Sequence, residues 1–273
     1  MRLIIVTQTV DSNDRNLGFF ASWIEAFAKH TDVVVIANEV GAYQLPENVE
    51  VISLGKEKGA SRFARIRRYR KLLRELLPQS DGVFFHMCPE YVLAAYPLVQ
   101  KFRKKSALWY VHKQVSLKLR LAEKLVDRIF TASTESFRLP SKKVEIVGHG
   151  IDTEIFKPQT EHTSPLHLVT VGRIAPVKDV RTIILGFIEL QKEFPQSRLS
   201  VIGEAATAND RKYEKEVRAL SPAGISFESA AFGTVFSRSY SAFVHASQTG
   251  SMDKAVLEAL AVGLPVFTSS EAF

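Results

Sequence analysis

The sequence feature that most constrains the fold is a repeated alternation of short β-branched runs with amphipathic helical stretches. This alternation is typical of βαβ units, which build a parallel sheet covered by helices. The first half of the chain predicts strands at Leu3–Thr7, Val33–Ala37, Val49–Leu54, Val83–His86, Ala107–Val111, Arg128–Thr131 and Val144–Val147. The second half predicts strands at Leu166–Val171, Leu199–Ile202, Ile225–Phe227, Ala242–His245 and Pro265–Thr268.

A polar, proline-marked stretch without periodicity separates the two series, at residues 151–166. Such a stretch is typical of an interdomain linker, and a length of 273 residues favours two domains. We therefore predict an α/β protein with two Rossmann-like, doubly wound domains, residues 1–155 and 156–273, facing each other across a cleft. Ligands of such sheets bind at the carboxyl ends of the strands, so the loops that follow strands hold the candidate residues.

Composition narrows the class of protein. Hydrophobic residues make up 46% of the chain and charged residues 24%, which is ordinary for a globular protein. The apolar runs are only strand-length, so no transmembrane helix is expected, and the segment 1–7 is a first strand rather than a signal peptide. The single cysteine, Cys88, excludes an intramolecular disulfide and suits the cytoplasm, and we expect it to be a small buried hydrophobe.

The net charge is +7, and the basic excess is concentrated between Lys56 and Arg74, which includes the basic stretch Arg62–Arg74. A second basic cluster consists of Lys101, Arg103, Lys104 and Lys105. A helical projection of Ser61–Leu77 gathers an apolar face opposite the arginines: Phe63, Ile66, Tyr69, Leu73 and Leu76. The cationic face could dock on an anionic membrane surface, bind an acidic acceptor or a nucleic acid, or simply be solvated. No nucleic-acid-binding motif accompanies it, so we expect no nucleic-acid partner.

The strand that ends at Val171 is followed by an anion-binding pattern. Gly172 is succeeded by Arg173 and Lys178, and Asp179 can cap the next helix. Two cations and free backbone N–H groups at a helix start favour a phosphate or diphosphate. No two aspartates lie two positions apart, so paired carboxylates for a divalent metal are missing. The pattern predicts a metal-independent site in which the two cations replace the metal.

A second pattern closes the chain. Gly250, Ser251 and Met252 can offer backbone N–H groups to phosphate or sugar oxygens. The helix that follows is apolar except for one carboxylate, Glu258, which can accept the hydroxyls of a ribose. A helix-surface glutamate with no such role is the alternative.

Three histidines follow strands or lie in loops. His112 succeeds an apolar strand and should point into the cleft, where imidazole can donate to a sugar hydroxyl or act as a base. A core histidine is an equal alternative on spacing alone. His86 is a weaker candidate of the same kind, and His149 is expected in a loop near the hinge.

Together these residues resemble the GT-B glycosyltransferases of family 4, the group 1 glycosyltransferases. The resemblance covers the whole chain and is strongest from Ile151 onward. The matching motifs are Gly150-Ile-Asp-x-x-x-Phe156-x-Pro158, Gly172-Arg173-x-x-x-x-Lys178, Val201-Ile-Gly203 and Leu257-Glu258-Ala-x-Ala261-x-Gly263-x-Pro265-Val266.

The resemblance implies a retaining, hexosyltransferase-type enzyme that needs no metal or other cofactor. It implies a UDP- or GDP-sugar donor and a glycan or lipid-linked acceptor, in polysaccharide or glycolipid synthesis at the inner face of the membrane. Arg173 and Lys178 would hold the diphosphate, with Gly172 beside them, and Glu258 the ribose. Gly203 would lie near the base. The remaining matches are His112, near the donor sugar, and Gly18, in a loop that approaches phosphates and acceptor.

The sequence departs from the family in two ways. The family usually has a second glutamate eight positions before Glu258, where this chain has Gly250, so the sugar contact would fall to the backbone of Gly250–Met252. The family's C-terminal domain also normally continues past the equivalent of Phe273, so we expect a truncated protein or a fragment. Two alternatives remain: an epimerase-like relative that binds a nucleotide sugar without transferring it, and a catalytically weak binding or scaffold protein.

Overall fold

The computed structural model describes residues 1–14, 17–158, 165–229, 235–237, 240–248, 250 and 252–273. The chain divides into two compact units, Met1–Val147 and Gly148–Phe273. We refer to them as unit 1 and unit 2. Each has its own parallel sheet and its own core.

Unit 1 is built on a seven-stranded sheet in the order β3-β2-β1-β4-β5-β6-β7. Its strands are β1 (Arg2–Val10), β2 (Asp32–Val40), β3 (Val49–Ser53), β4 (Gly82–His86), β5 (Lys105–Trp109), β6 (Arg128–Thr131) and β7 (Val144–Ile146). Its helices are α1 (Phe20–Ala28), α2 (Arg62–Leu76), α3 (Pro89–Lys101) and α4 (Leu117–Leu125). All neighbouring strands pair in parallel, and short 3₁₀ turns occupy Lys56–Lys58 and Leu77–Gln79.

Unit 2 is built on a five-stranded parallel sheet in the order β10-β9-β8-β11-β12. Its strands are β8 (His167–Val171), β9 (Arg198–Ile202), β10 (Ile225–Glu228), β11 (Ala242–His245) and β12 (Val266–Thr268). Its helices are α5 (Val180–Glu193), α6 (Ala208–Ala219) and α7 (Lys254–Ala261). Short 3₁₀ turns occupy Pro176–Lys178 and Val235–Ser237.

All twelve predicted strands are present, and the reason is visible in their burial. Helices cover both faces of a parallel sheet, so its central strands read as continuous apolar runs instead of alternating ones. In β1, for example, Ile4, Ile5 and Val6 are all fully buried. The α/β prediction is therefore confirmed.

The predicted apolar face of α2 is wrong over its first two turns. Tyr69 and Leu73 are buried as expected, but Phe63 is 78% exposed and Ile66 is 40% exposed. The apolar residues that α2 contributes to the core of unit 1 are Tyr69 and Leu73, with Leu72 and Leu76 packed against this core. The helix begins at its Ser61 cap, so its first turns extend beyond that core.

Cys88 is buried at the start of α3, as predicted. Burial raises the pKa of its thiol to about 11, partly offset by a 2.8 Å hydrogen bond from the Gln8 amide nitrogen to Sγ. The thiol is therefore protonated at neutral pH and unreactive. Among the described helices, none has the length and apolar character needed to cross a bilayer.

Candidate functional site

The strand order of unit 2 creates a switch point between β8 and β11. The chain leaves β8 toward β9 on one side, whereas β11 and β12 lie on the other. Loops from adjacent strands diverge at such a point and leave a crevice at the carboxyl edge of the sheet. A small pocket opens there, lined in part by Gly172, Arg173, Lys178, Ile202 and His245.

Two glycines lie in close contact after β8 and β9, and one of them, Gly172, lines the pocket. Gly172 directly follows β8 and Gly203 directly follows β9, with φ angles of +148° and +147°. A Cβ on Gly203 would lie 1.9 Å from the Gly172 carbonyl oxygen, and its φ lies where side chains are strained. Only glycine fits at position 203, so the two loops can run side by side.

The central feature of the site is the carboxylate of Asp253, which contacts the side chains of Lys178 and His245. Asp253 Oδ2 lies 2.7 Å from Lys178 Nζ and 2.7 Å from His245 Nε2. The other ring nitrogen, His245 Nδ1, lies 2.9 Å from Thr268 Oγ1 at the end of β12. The cluster therefore joins the loop after β8, the last residues of β11 and β12, and the residue that precedes α7.

The pKa of Asp253 is lowered to about 2 despite its burial. Burial alone would raise this pKa, but the hydrogen bond from His245 and the nearby Lys178 ammonium outweigh it. Asp253 is thus a carboxylate at any physiological pH, and it compensates much of the positive charge of Lys178.

The loops after β8 and β11 are also tied together directly. Gln248 donates its backbone N–H to the Val177 carbonyl at 2.9 Å and its side-chain amide to Asp179 Oδ2 at 3.0 Å. Asp179 accepts from the Thr182 hydroxyl at 2.9 Å and caps α5, as predicted. These bonds fix the backbone on which Lys178 is carried.

Arg173 presents its guanidinium to solvent at the edge of the crevice. The side chain is 45% exposed, and its Nε lies 3.8 Å from Asp210 Oδ2. Asp210 is committed to the capping box of α6, where it accepts from the Thr207 backbone and Thr207 caps it in return. Of the two predicted cations, Arg173 is the more accessible.

Glu258 lies half-buried on α7, one turn after Lys254. Burial raises the pKa of Glu258, and Lys254 opposes that rise. Burial likewise lowers the pKa of Lys254. The pKa of His149 is lowered to about 4, mainly by burial and secondly by the nearby charge of Lys254, so this imidazole is neutral at pH 7.

The predicted backbone contacts precede α7. Gly250 has a φ of +60° and Met252 is half-buried, whereas Ser251 lies outside the described residues. The backbone at Gly250 is in the left-handed region, which a glutamate rarely adopts. Within the part of the chain that the structure describes, no three acidic, histidine or cysteine side chains cluster as metal ligands.

Three predicted residues lie in unit 1. A Cβ on Gly18 would lie 2.6 Å from the Asp14 carbonyl oxygen, so only glycine fits this turn before α1. His112 is exposed in the loop after β5, and its Nδ1 accepts from the Gln114 backbone N–H at 3.0 Å. His86 is buried, 3.0 Å from Thr7 Oγ1 and stacked on Phe20, so it is a core histidine.

Sequence reasoning missed His245 and the pairing of Asp253. His245 is the last residue of β11, so the strand-end rule that selected His112 could have found it. Asp253 stands immediately before α7, where an acidic residue reads as a helix cap. It makes no capping hydrogen bond, because its side chain is committed to the cluster.

The residues of this site lie in a segment that matches a known protein family. Residues 151–273 match the model of the glycosyl transferases group 1. The match covers less than half of the chain and lies wholly within unit 2. It supports glycosyl transfer as the activity. No curated protein sequence matches the chain.

Solved structures agree with this family at the level of the fold. The HepE protein of Anabaena, solved with UDP, has a TM-score of 0.72 and 15% identity over 97% of this chain and 80% of its own. A glycosyltransferase from Rickettsia africae has a TM-score of 0.72 and 10% identity over 98% of this chain and 79% of its own. The UDP-GlcNAc 2-epimerase of Methanocaldococcus jannaschii has a TM-score of 0.59 and 14% identity, covering 98% and 83%. The fold is GT-B, as the resemblance implies.

Proposed function

We propose that the chain transfers a sugar from a nucleoside diphosphate sugar to a glycan or lipid-linked acceptor, with retention at the anomeric carbon and without a metal ion. The observation that carries this proposal is the strand-end site of unit 2. It brings Gly172, Arg173 and Lys178 together at one pocket, within the segment that matches the family model, and Glu258 lies on α7 of the same unit.

Arg173 and Lys178 would bind the donor diphosphate. Negative charge builds on this group as the glycosidic bond breaks, and fixed cations aimed at it stabilise the transition state. Lys178 lies 2.7 Å from Asp253, whereas Arg173 lies 3.8 Å from Asp210 and is more exposed, so Arg173 is the more available of the two to the diphosphate. Gly172 lines the pocket without a side chain, so the diphosphate can approach its backbone closely. Gly203 lets the loop after β9 pass directly beside Gly172, and it would lie near the base, as the resemblance implies.

Glu258 would accept the ribose hydroxyls. Burial raises its pKa because a half-buried carboxylate has lost part of its hydration. Two ribose hydroxyls would restore the lost hydrogen bonds. Backbone groups of Gly250, Ser251 and Met252 would serve the donor sugar and phosphates, because no glutamate stands at position 250.

His112 would donate a hydrogen bond rather than act as a base. Its Nδ1 already accepts from a backbone N–H, so the proton of the neutral ring resides on Nε2. The exposed Nε2–H can donate to a sugar hydroxyl. Gly18 would provide the loop that approaches the acceptor.

The basic stretch Arg62–Arg74 would bring a cytoplasmic enzyme to an anionic membrane surface. The exposed Phe63 and Ile66 lie among arginines at the start of α2, and apolar side chains within a cationic surface suit the headgroup region of a bilayer. Co-sedimentation with anionic and neutral vesicles tests this, and binding that does not depend on lipid charge would contradict it.

The donor is expected to carry uracil or guanine as its base, and we favour uracil because the similar HepE structure contains UDP. The test incubates the chain with UDP- and GDP-hexoses, with and without lipid-linked and glycan acceptors, in EDTA. Acceptor-dependent release of the nucleoside diphosphate, with an added hexose by mass spectrometry, supports transfer. Nucleotide-sugar isomerisation without an acceptor would instead favour the epimerase alternative, to which the Methanocaldococcus structure points.

A further inference from the structure

Unit 1 has a switch point of its own, between β1 and β4. The chain leaves β1 toward β2, whereas β4 leads to β5 on the other side. Gln8 lies in β1, and Cys88 lies two residues after β4, at the start of α3. Their side chains meet across this crevice, where the Gln8 amide nitrogen donates to Cys88 Sγ at 2.8 Å.

A chain of hydrogen bonds runs from this crevice to an arginine on α2. Asn38, buried in β2, donates its amide to Gln8 Oε1 at 3.2 Å. Its own carbonyl oxygen therefore faces away from Gln8 and accepts from Arg65 Nη1. The sheet thus fixes the position of the Arg65 guanidinium at its carboxyl edge.

The charge of this guanidinium is uncompensated. In the described ranges Arg65 has no ion pair, and its buried Nε has no hydrogen-bond partner. Acidic side chains on the flanking elements are committed elsewhere, since Glu39 pairs with Lys56 and Glu90 pairs with Lys118. A half-buried arginine charge without an ion pair costs free energy, and an anion bound at the accessible part of the guanidinium would offset that cost.

We propose that Arg65 binds an oxyanion of the acceptor, a carboxylate or a phosphate, at the switch point of unit 1. The planar guanidinium can meet two oxygens of either group at once. Asn38 holds the guanidinium in place. The acceptor is then an acidic sugar or a phosphosugar, an assignment that rests on the proposed glycosyl transfer.

The experiment titrates the full chain by calorimetry with glucuronate, glucose 6-phosphate and neutral glucose. The variants are Arg65→Gln, Arg65→Lys and, as a matched control, Arg68→Gln, an exposed arginine on the same helix. We expect Arg65→Gln to weaken anion binding at least about tenfold, the equivalent of one charged hydrogen bond. Arg68→Gln should change it less than about twofold, because an exposed charge is screened.

Each outcome decides the proposal. Arg65-dependent binding of glucuronate marks a sugar acid, and Arg65-dependent binding of glucose 6-phosphate marks a phosphosugar. No binding of either anion, equal losses in Arg65→Gln and Arg68→Gln, or equally tight glucose binding overturns it. Should Arg65→Gln fail to fold, Arg65→Lys serves in its place, because it retains the charge but lacks the planar guanidinium. Anion binding by Arg65→Lys that is as tight as in the wild type overturns the proposal. A parallel UDP titration tests the donor site separately, because all three variants should bind UDP as the wild type does.

Discussion

Replacing Asp253 by asparagine tests the cluster at the centre of unit 2. The change keeps the shape of the side chain but removes the charge that lies 2.7 Å from both Lys178 Nζ and His245 Nε2. Asp253 makes no capping hydrogen bond to α7, so the variant loses no such bond. The variant loses the electrostatic stabilisation of the carboxylate that lowers the pKa of Asp253.

The pKa gives the size of the effect. A shift from an ordinary 3.8 to about 2 corresponds to about 2 kcal/mol of folding free energy at neutral pH. Because the folded-state pKa is depressed, this contribution is complete well above pH 3.8 and is lost as the pH falls through about 2. Asp253→Asn should therefore be about 2 kcal/mol less stable at pH 7, with the deficit closing below about pH 4.

The assay must report on unit 2 alone. Both tryptophans, Trp23 and Trp109, lie in unit 1, so tryptophan fluorescence does not report on the unfolding of unit 2. Hydrogen exchange measured on peptides from residues 148–273 does report on it. Glu189→Gln is the matched control, because Glu189 pairs with Lys192 on an exposed surface and should change stability by about 0.5 kcal/mol or less. Equal protection in Asp253→Asn and wild type, or a deficit independent of pH, would refute the reasoning.

Three further predictions concern single side chains. Gly203→Ala should destabilise unit 2 by more than about 2 kcal/mol in exchange measurements, because its Cβ would clash with the Gly172 carbonyl; a change within error would contradict the contact. Phe63→Ser should leave the unfolding midpoint of unit 1 unchanged but weaken binding to anionic vesicles, since the ring is 78% exposed; an early unfolding transition would place Phe63 in the core. Glu258→Gln should weaken UDP binding about tenfold or more by calorimetry, because the carboxylate binds the ribose. Inorganic pyrophosphate, which has no ribose, should bind as before, and equal weakening of both ligands would show that Glu258 does not bind the ribose.

The strands and the edge on which the site lies were predictable from the sequence. Buried parallel strands are continuous apolar runs, and their carboxyl ends must share one edge. Gly172, Arg173 and Lys178 could therefore be assigned to it without coordinates. The motifs within residues 151–273, the segment that matches the family model, pointed to the same edge of the sheet.

The side-chain partners within the site were not predictable. Lys178 and Asp253 lie 75 positions apart, and their pairing depends on how two loops are tied together by Gln248. Helical periodicity likewise identified the face of α2 but not where the core beneath it ends. Phe63 and Ile66 are therefore exposed although they continue the apolar stripe.

The measurement that tests the central claim most directly is calorimetric titration of the chain with UDP and GDP in EDTA, with wild type and Arg173→Ala. The account predicts that one of these nucleotides binds without a divalent cation and that Arg173→Ala weakens this binding at least about tenfold. Binding that requires a divalent cation, or that is indifferent to Arg173, would contradict a metal-free diphosphate site at the carboxyl edge of unit 2.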